Sequence, residues 1–215
     1  QNNFGSLPDS GEDEPPIDDD DYLNFLSLVA HEHFHVWNVK RLFPKAIEEF
    51  DYQSENYVRD LWTIEGITSF YDRLSLYRAD LVDADRLLQF FADRIFRLES
   101  TPGRHHHSLR EAGFDAWIKL YMRDEHTRNS TVSYYLKGSL VALMLDLRIR
   151  RHTDGERSLD DVVGRLWEEF GREAEHGYPD GYYLEITSEV AGNDITRFFD
   201  RYIEGTAEID WAAEL

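Results

Sequence analysis

The residues best placed to do chemistry are His31-Glu32-His33-Phe34-His35, embedded in Leu28-Val29-Ala30 and Val36-Trp37. On an α-helix, positions i and i+4 lie one above the other, so His31 and His35 can offer two imidazole nitrogens to one metal ion. Glu32 follows the first of them and stands within reach of a water at that metal without displacing it. This is the division of labour of metal-assisted hydrolysis. The competing reading is an amphipathic helix with merely solvated histidines. The apolar residues before and between the histidines favour a helix with one face in a core and one at a cleft.

A catalytic zinc needs a third protein ligand and one open position. The run Leu61-Trp62-Thr63-Ile64-Glu65-Gly66-Ile67-Thr68-Ser69-Phe70-Tyr71 supplies Glu65, a single acid among aromatic and aliphatic residues at helical spacing. The rival is Glu55, in the polar stretch Ser54-Glu55-Asn56-Tyr57 near an expected helix start, where an acid is favoured by the helix dipole. Glu65 is the better candidate, and Glu48 and Glu49 read as loop charges.

The run His31 to Pro44, HEHFHVWNVKRLFP, resembles the signature of the glycyl aminopeptidase family of gluzincin metallopeptidases, which commonly carry a PDZ domain. Further matches follow in order: Glu55-Asn56-Tyr57, Leu61-Trp62 through Glu65-Gly66, Pro102-Gly103-Arg104, Phe114 to Lys119, Ser133 to Gly138 and Val190-Ala191-Gly192. The likeness covers about residues 24 to 210. In gluzincins the third ligand is a glutamate on a second helix, which Glu65 matches. His33 stands where relatives have an aromatic or apolar residue and lies off the ligand face.

The resemblance implies a thermolysin-like catalytic domain that removes small N-terminal residues, Gly or Ala, from peptides. The Tyr-x-Lys-Gly element of related aminopeptidases places a tyrosine hydroxyl against the developing oxyanion, and Tyr135-Leu136-Lys137-Gly138 matches it. Tyr135 is thereby preferred to Tyr134, which would point about 100° away on a helix. The implied site is one Zn2+ on His31, His35 and Glu65, with Glu32 as proton carrier and Tyr135 as oxyanion donor. Two alternatives remain beside it: a zinc endopeptidase of the same fold, and a non-catalytic peptide-binding domain.

Composition sets outer limits. The 215 residues suffice for one domain with a sizeable core. With no cysteine, disulfides, thiol catalysis and Cys-ligated zinc are excluded. A formal charge of -20 and a pI near 4.7 argue against nucleic acid or anionic membranes as partners. No apolar run approaches a membrane-spanning length, and no signal peptide opens the chain. The compartment is not legible, and cytoplasm and periplasm fit equally. Scarce lysine (Lys40, Lys45, Lys119 and Lys137) in an acidic chain fits either a saline milieu or an ordinary acidic protein. His105-His106-His107 reads as an exposed loop ahead of a helix capped by Ser108 and Glu111.

The elements that must position these residues are helices. Residues 1–21, rich in Pro, Gly, Asp and Glu, read as an acidic, flexible lead-in whose last acids favour the start of a metal helix from about Tyr22 to Val39. Further helices are expected near 55–80, 84–100, 109–123, 132–152, 159–170 and 194–204, with Asp83, Ser108 and Ser158 as caps and Gly103, Gly155 and Gly205 as stops. No strand-period run of comparable strength appears. The expected fold is mainly α, the helical portion of a thermolysin-like catalytic domain over residues 22–215. The family's β-rich region before the metal helix and its PDZ domain do not fit within this chain, so the 215 residues alone are expected to bind zinc and hydrolyse peptides poorly.

Overall fold

The computed structural model describes residues 19–173 and 175–215. Its α-helices are α1 (Asp19–Phe34), α2 (Ile67–Arg78), α3 (Ala84–Glu99), α4 (Leu109–Phe114), α5 (Thr127–Ser130), α6 (Tyr134–His152), α7 (Leu159–Leu166), α8 (Tyr182–Ala191), α9 (Thr196–Phe199) and α10 (Trp211–Glu214). Wide π-type turns at Trp62–Gly66, Ala116–Leu120, Trp167–Gly171 and Asp200–Glu204 extend four of them. Among the described residues there is no strand, only isolated parallel bridges of Asn38 with Leu42 and Pro44 with Tyr178. The mainly-α expectation holds. None of these helices is long and apolar enough to cross a membrane.

Helix α6 is the hub. Leu140, Val141, Ala142, Met144 and Leu145 are fully enclosed, and α2, α3, α4, α8 and the Trp62–Gly66 turn pack around them. Each such large side chain contributes about 1.5–3 kcal/mol on burial. The expected caps close the helices around this hub. Asp83 accepts from the Arg86 N–H, and Ser108 with Glu111 and Ser158 with Asp161 form capping boxes. At the heart of this packing Gly66 lies directly against Gly138. A Cβ on Gly138 would stand 2.8 Å from the Gly66 Cα, and one on Gly66 would stand 2.6 Å from the Gly138 Cα. Only glycine at both positions lets the backbone carrying Glu65 rest on the backbone carrying Tyr135.

Several expected boundaries are corrected. Helix α1 starts at Asp19, so Asp19, Asp20 and Asp21 form its first turn, where their charge meets the positive end of the dipole; the rest of the expected lead-in lies outside the described residues. It stops at Phe34 and not near Val39, because the chain folds back to bond Asn38 to the Trp62–Gly66 turn. The helix expected from residue 55 begins only at the Trp62 turn. Upstream, the Asn56 side chain bonds both the N–H and the carbonyl of Asp51, a local pairing that competes with helix. His107 does not lie in an exposed loop; it is buried, its Nδ1 accepting the Val132 N–H at 3.4 Å. Helix α8 is absent from the sequence expectation. Its aromatic and β-branched residues have modest helix propensity, and burial of Tyr183, Ile186, Thr187 and Val190 decides the matter.

A candidate metal centre in the cleft beside α1

Helix α1 packs along α2 with Ser27 and His31 as its buried residues, and His35 sits one residue beyond its end. The helical bond survives that step: the His35 N–H still reaches the His31 carbonyl at 3.3 Å. Both imidazoles therefore face the Trp62–Gly66 turn. The extra residue of this wide turn sets the direction of Glu65, and such turns recur at functional sites. The Glu65 Oε2 lies 3.2 Å from His31 Nε2 and 3.3 Å from His35 Nε2. Among the described residues these three form the one group of His, Cys, Asp or Glu whose donor atoms converge tightly enough to hold a metal ion, all within 4.8 Å of one another.

The other nitrogen of each ring shows what the site requires. His35 Nδ1 donates to the Asn38 carbonyl at 2.8 Å, an acceptor that demands the proton on Nδ1. His31 Nδ1 faces the Asp72 carboxylate at 3.4 Å. With both Nδ1 positions protonated, both Nε2 lone pairs point at a carboxylate oxygen. That arrangement repels unless a proton or a metal cation lies between. Burial by itself pushes the His31 imidazole down, yet the hydrogen bonds and charges of Asp72 and Glu65 outweigh it and raise it to about 9. Glu65 mirrors this: burial pushes its carboxyl up, and the two histidines override it and hold it at about 2. The donor set, two imidazoles and one carboxylate with fixed tautomers, fits zinc.

Supporting residues hold these donors in place. The Asn38 side chain donates to the Thr63 carbonyl at 2.9 Å, the Ile64 carbonyl at 3.0 Å and Thr68 Oγ1 at 3.1 Å. One residue thus links the orientation of His35 to the turn that carries Glu65. The next residue, Val39, has φ of 128°, a conformation a β-branched side chain rarely adopts, and it borders the cleft. Asp72 is steadied by Arg94, which also donates to the Ser69 carbonyl at 2.7 Å. Asn38 and Asp72 had no signal in the sequence reading beyond a polar residue near the motif and an acid on the second helix.

The donors open onto a cleft of about 770 Å³ that Glu32, Tyr134 and Tyr135 also border. Glu32 is exposed to it. The Tyr135 ring stacks 6.2 Å from that of His31, and burial together with the Glu65 charge pushes its phenol up, so it is a hydrogen-bond donor at neutral pH. Tyr134 is not turned away from the cleft as its helical position suggested. Its ring stacks on Tyr135 at 4.8 Å and shares the cleft wall. His33 stands apart from the donors with its ring edge against Trp37 at 5.0 Å, and Glu55 lies exposed in the loop before the turn. Tyr121, which the sequence reading passed over, lies near both tyrosine hydroxyls.

A solved structure of an aminopeptidase N family protein from Idiomarina loihiensis is 35% identical and superposes with a TM-score of 0.85. The match covers 93% of this chain and 34% of that one, so the chain spans about a third of the length of that protein. No curated protein matches. The M61 glycyl aminopeptidase family matches residues 24–141, more than half of the chain, and includes the three donors, Glu32 and Tyr135. The chain belongs to the M61 glycyl aminopeptidase family.

Proposed function

We propose that this chain carries the metal centre of a zinc-dependent aminopeptidase that releases small N-terminal residues, Gly or Ala, from peptides. The observation that carries the reading is the pair of Nε2 lone pairs aimed at one Glu65 oxygen, beside an open cleft bordered by Glu32. His31, His35 and Glu65 would hold zinc, which would supply Lewis acidity for the attack of water on the scissile carbonyl.

The chain's own groups do the rest. The Glu32 carboxylate accepts the proton of the attacking water and delivers it to the departing amine nitrogen. The Tyr135 hydroxyl donates a hydrogen bond to the carbonyl oxygen as that oxygen becomes anionic, and the packing of α6 holds the phenol in place before the reaction starts. Asp72 and the Asn38 carbonyl keep the Nδ1 protons in place, so the Nε2 atoms stay available to the metal. Cleavage next to a free N-terminus is supported by the family match and by the aminopeptidase similarity.

Zinc analysis of protein purified without added metal or nickel resin tests the centre. One equivalent per chain is expected, lost in His31→Ala, His35→Ala and Glu65→Ala and kept in Glu55→Ala. Full zinc content in Glu65→Ala refutes the ligand set. For the chemistry, Glu32→Gln in the longer protein should keep zinc and lose most hydrolysis of Gly- and Ala-arylamides. Faster cleavage of N-terminally blocked peptides than of free ones would instead make it an endopeptidase.

A further inference from the structure

We propose that one wall of the cleft, built from Phe50, Trp117 and Tyr121, is a specificity subsite for a bulky apolar residue, aromatic above all, on the leaving-group side of the scissile bond. The assignment of sides rests on the aminopeptidase reading above.

All three rings border the same cleft as His31, Glu65 and Tyr135. They remain 44% (Phe50), 41% (Trp117) and 65% (Tyr121) exposed, although the chain has a large core available for aromatic residues. Exposed rings gathered at one concave surface mark a place where apolar groups bind. The wall is also rigid. The Trp117 Nε1 donates to the Asn56 carbonyl at 3.2 Å, and the Trp117 and Tyr121 rings lie 6.0 Å apart. Asn56 in turn is fixed by its side-chain amide to the Asp51 carbonyl at 2.6 Å and by the Asp51 N–H to its Oδ1 at 3.0 Å. An indole already held in one orientation loses little further freedom when a ligand arrives.

The side follows from elimination. A Gly or Ala at the N-terminus has little or no side chain to place against three rings. The residue that gains from them is therefore the one beyond the scissile bond, whose amine departs.

The test uses the chain itself, chelated free of metal, so that it does not depend on turnover. Gly-Phe-amide, Gly-Gly-amide and Phe-Gly-amide are titrated by calorimetry and by tryptophan fluorescence. Gly-Phe-amide should bind about tenfold more tightly than Gly-Gly-amide. Trp117→Leu should remove most of that advantage while leaving Gly-Gly-amide unchanged. Phe50→Ala, at an exposed loop position, is a second variant, and it should also remove much of that advantage. Equal affinities, an advantage that follows Phe in the first position, or no binding of any of the three at millimolar concentration overturns the subsite. A Gly-Phe-amide advantage in a protein whose zinc-loaded long form hydrolyses nothing would keep the subsite and remove the peptidase reading. Hydrolysis of Gly-arylamides without that advantage would do the reverse.

Discussion

Lys137 lies two residues beyond Tyr135 on α6, is only 2% exposed, and its Nζ has no hydrogen-bond partner. It points away from the metal cleft, into a narrow gap between Leu98, Arg104 and the segment Ala207 to Ile209. Burial pulls its ammonium down to about 8 from an ordinary 10.5, with the Glu208 charge offsetting part of the effect. Below pH 8 the folded and unfolded chains both carry this proton, and the folded state bears the whole cost of burying the charge. The gap of about 2.5 pH units corresponds to about 3 kcal/mol. Between pH 8 and 10.5 the unfolded chain binds more protons than the folded one, so this group's contribution to stability rises with pH, and above that window the cost is gone. Lys137→Met keeps the apolar stem and removes the charge. Urea unfolding of metal-free protein should show the variant more stable by about 3 kcal/mol at pH 7, a midpoint shift of about 1 M. The gain should fall to about half at pH 9.5. Zinc affinity should not change, because Nζ faces the C-terminal segment. A gain that is flat between pH 7 and 9.5, or a variant less stable than the parent, would refute the argument that an unpaired buried charge is what this position costs.

Other consequences concern the support of the metal centre. Gly138→Ala drives a Cβ against the Gly66 Cα and should cost about 1–3 kcal/mol in urea unfolding, while displacing Glu65 enough to weaken zinc in a chelator competition; unchanged stability and affinity would sink the crossing argument. Asp72→Asn should loosen His31 and reduce zinc affinity about 10- to 100-fold, and an affinity equal to the parent's would show that Asp72 does not hold the tautomer. Tyr135→Phe in the longer protein should lower kcat with KM nearly constant, since the oxyanion exists only in the transition state. A crippled Tyr134→Phe beside an unaffected Tyr135→Phe would move the role to Tyr134, whose ring shares the wall.

The sequence by itself determined what depends on neighbours along the chain. A spacing of four residues puts His31 and His35 on one helical face, and one acid in an apolar run singles out Glu65. Ser108-x-x-Glu111 and Ser158-x-x-Asp161 mark helix starts because each capping bond is made within three residues. Tertiary structure decided the rest, because it depends on contacts between distant segments. His31 meets Asp72 across 41 residues, and Asn38 reaches Ile64 across 26. No period or cap signals such contacts. The wide turn that aims Glu65, the Gly66–Gly138 contact that seats it, the turn of Tyr134 into the cleft and of Lys137 out of it, and the helical state of Tyr182–Ala191 are likewise set by packing against α6, where burial outweighs local preference.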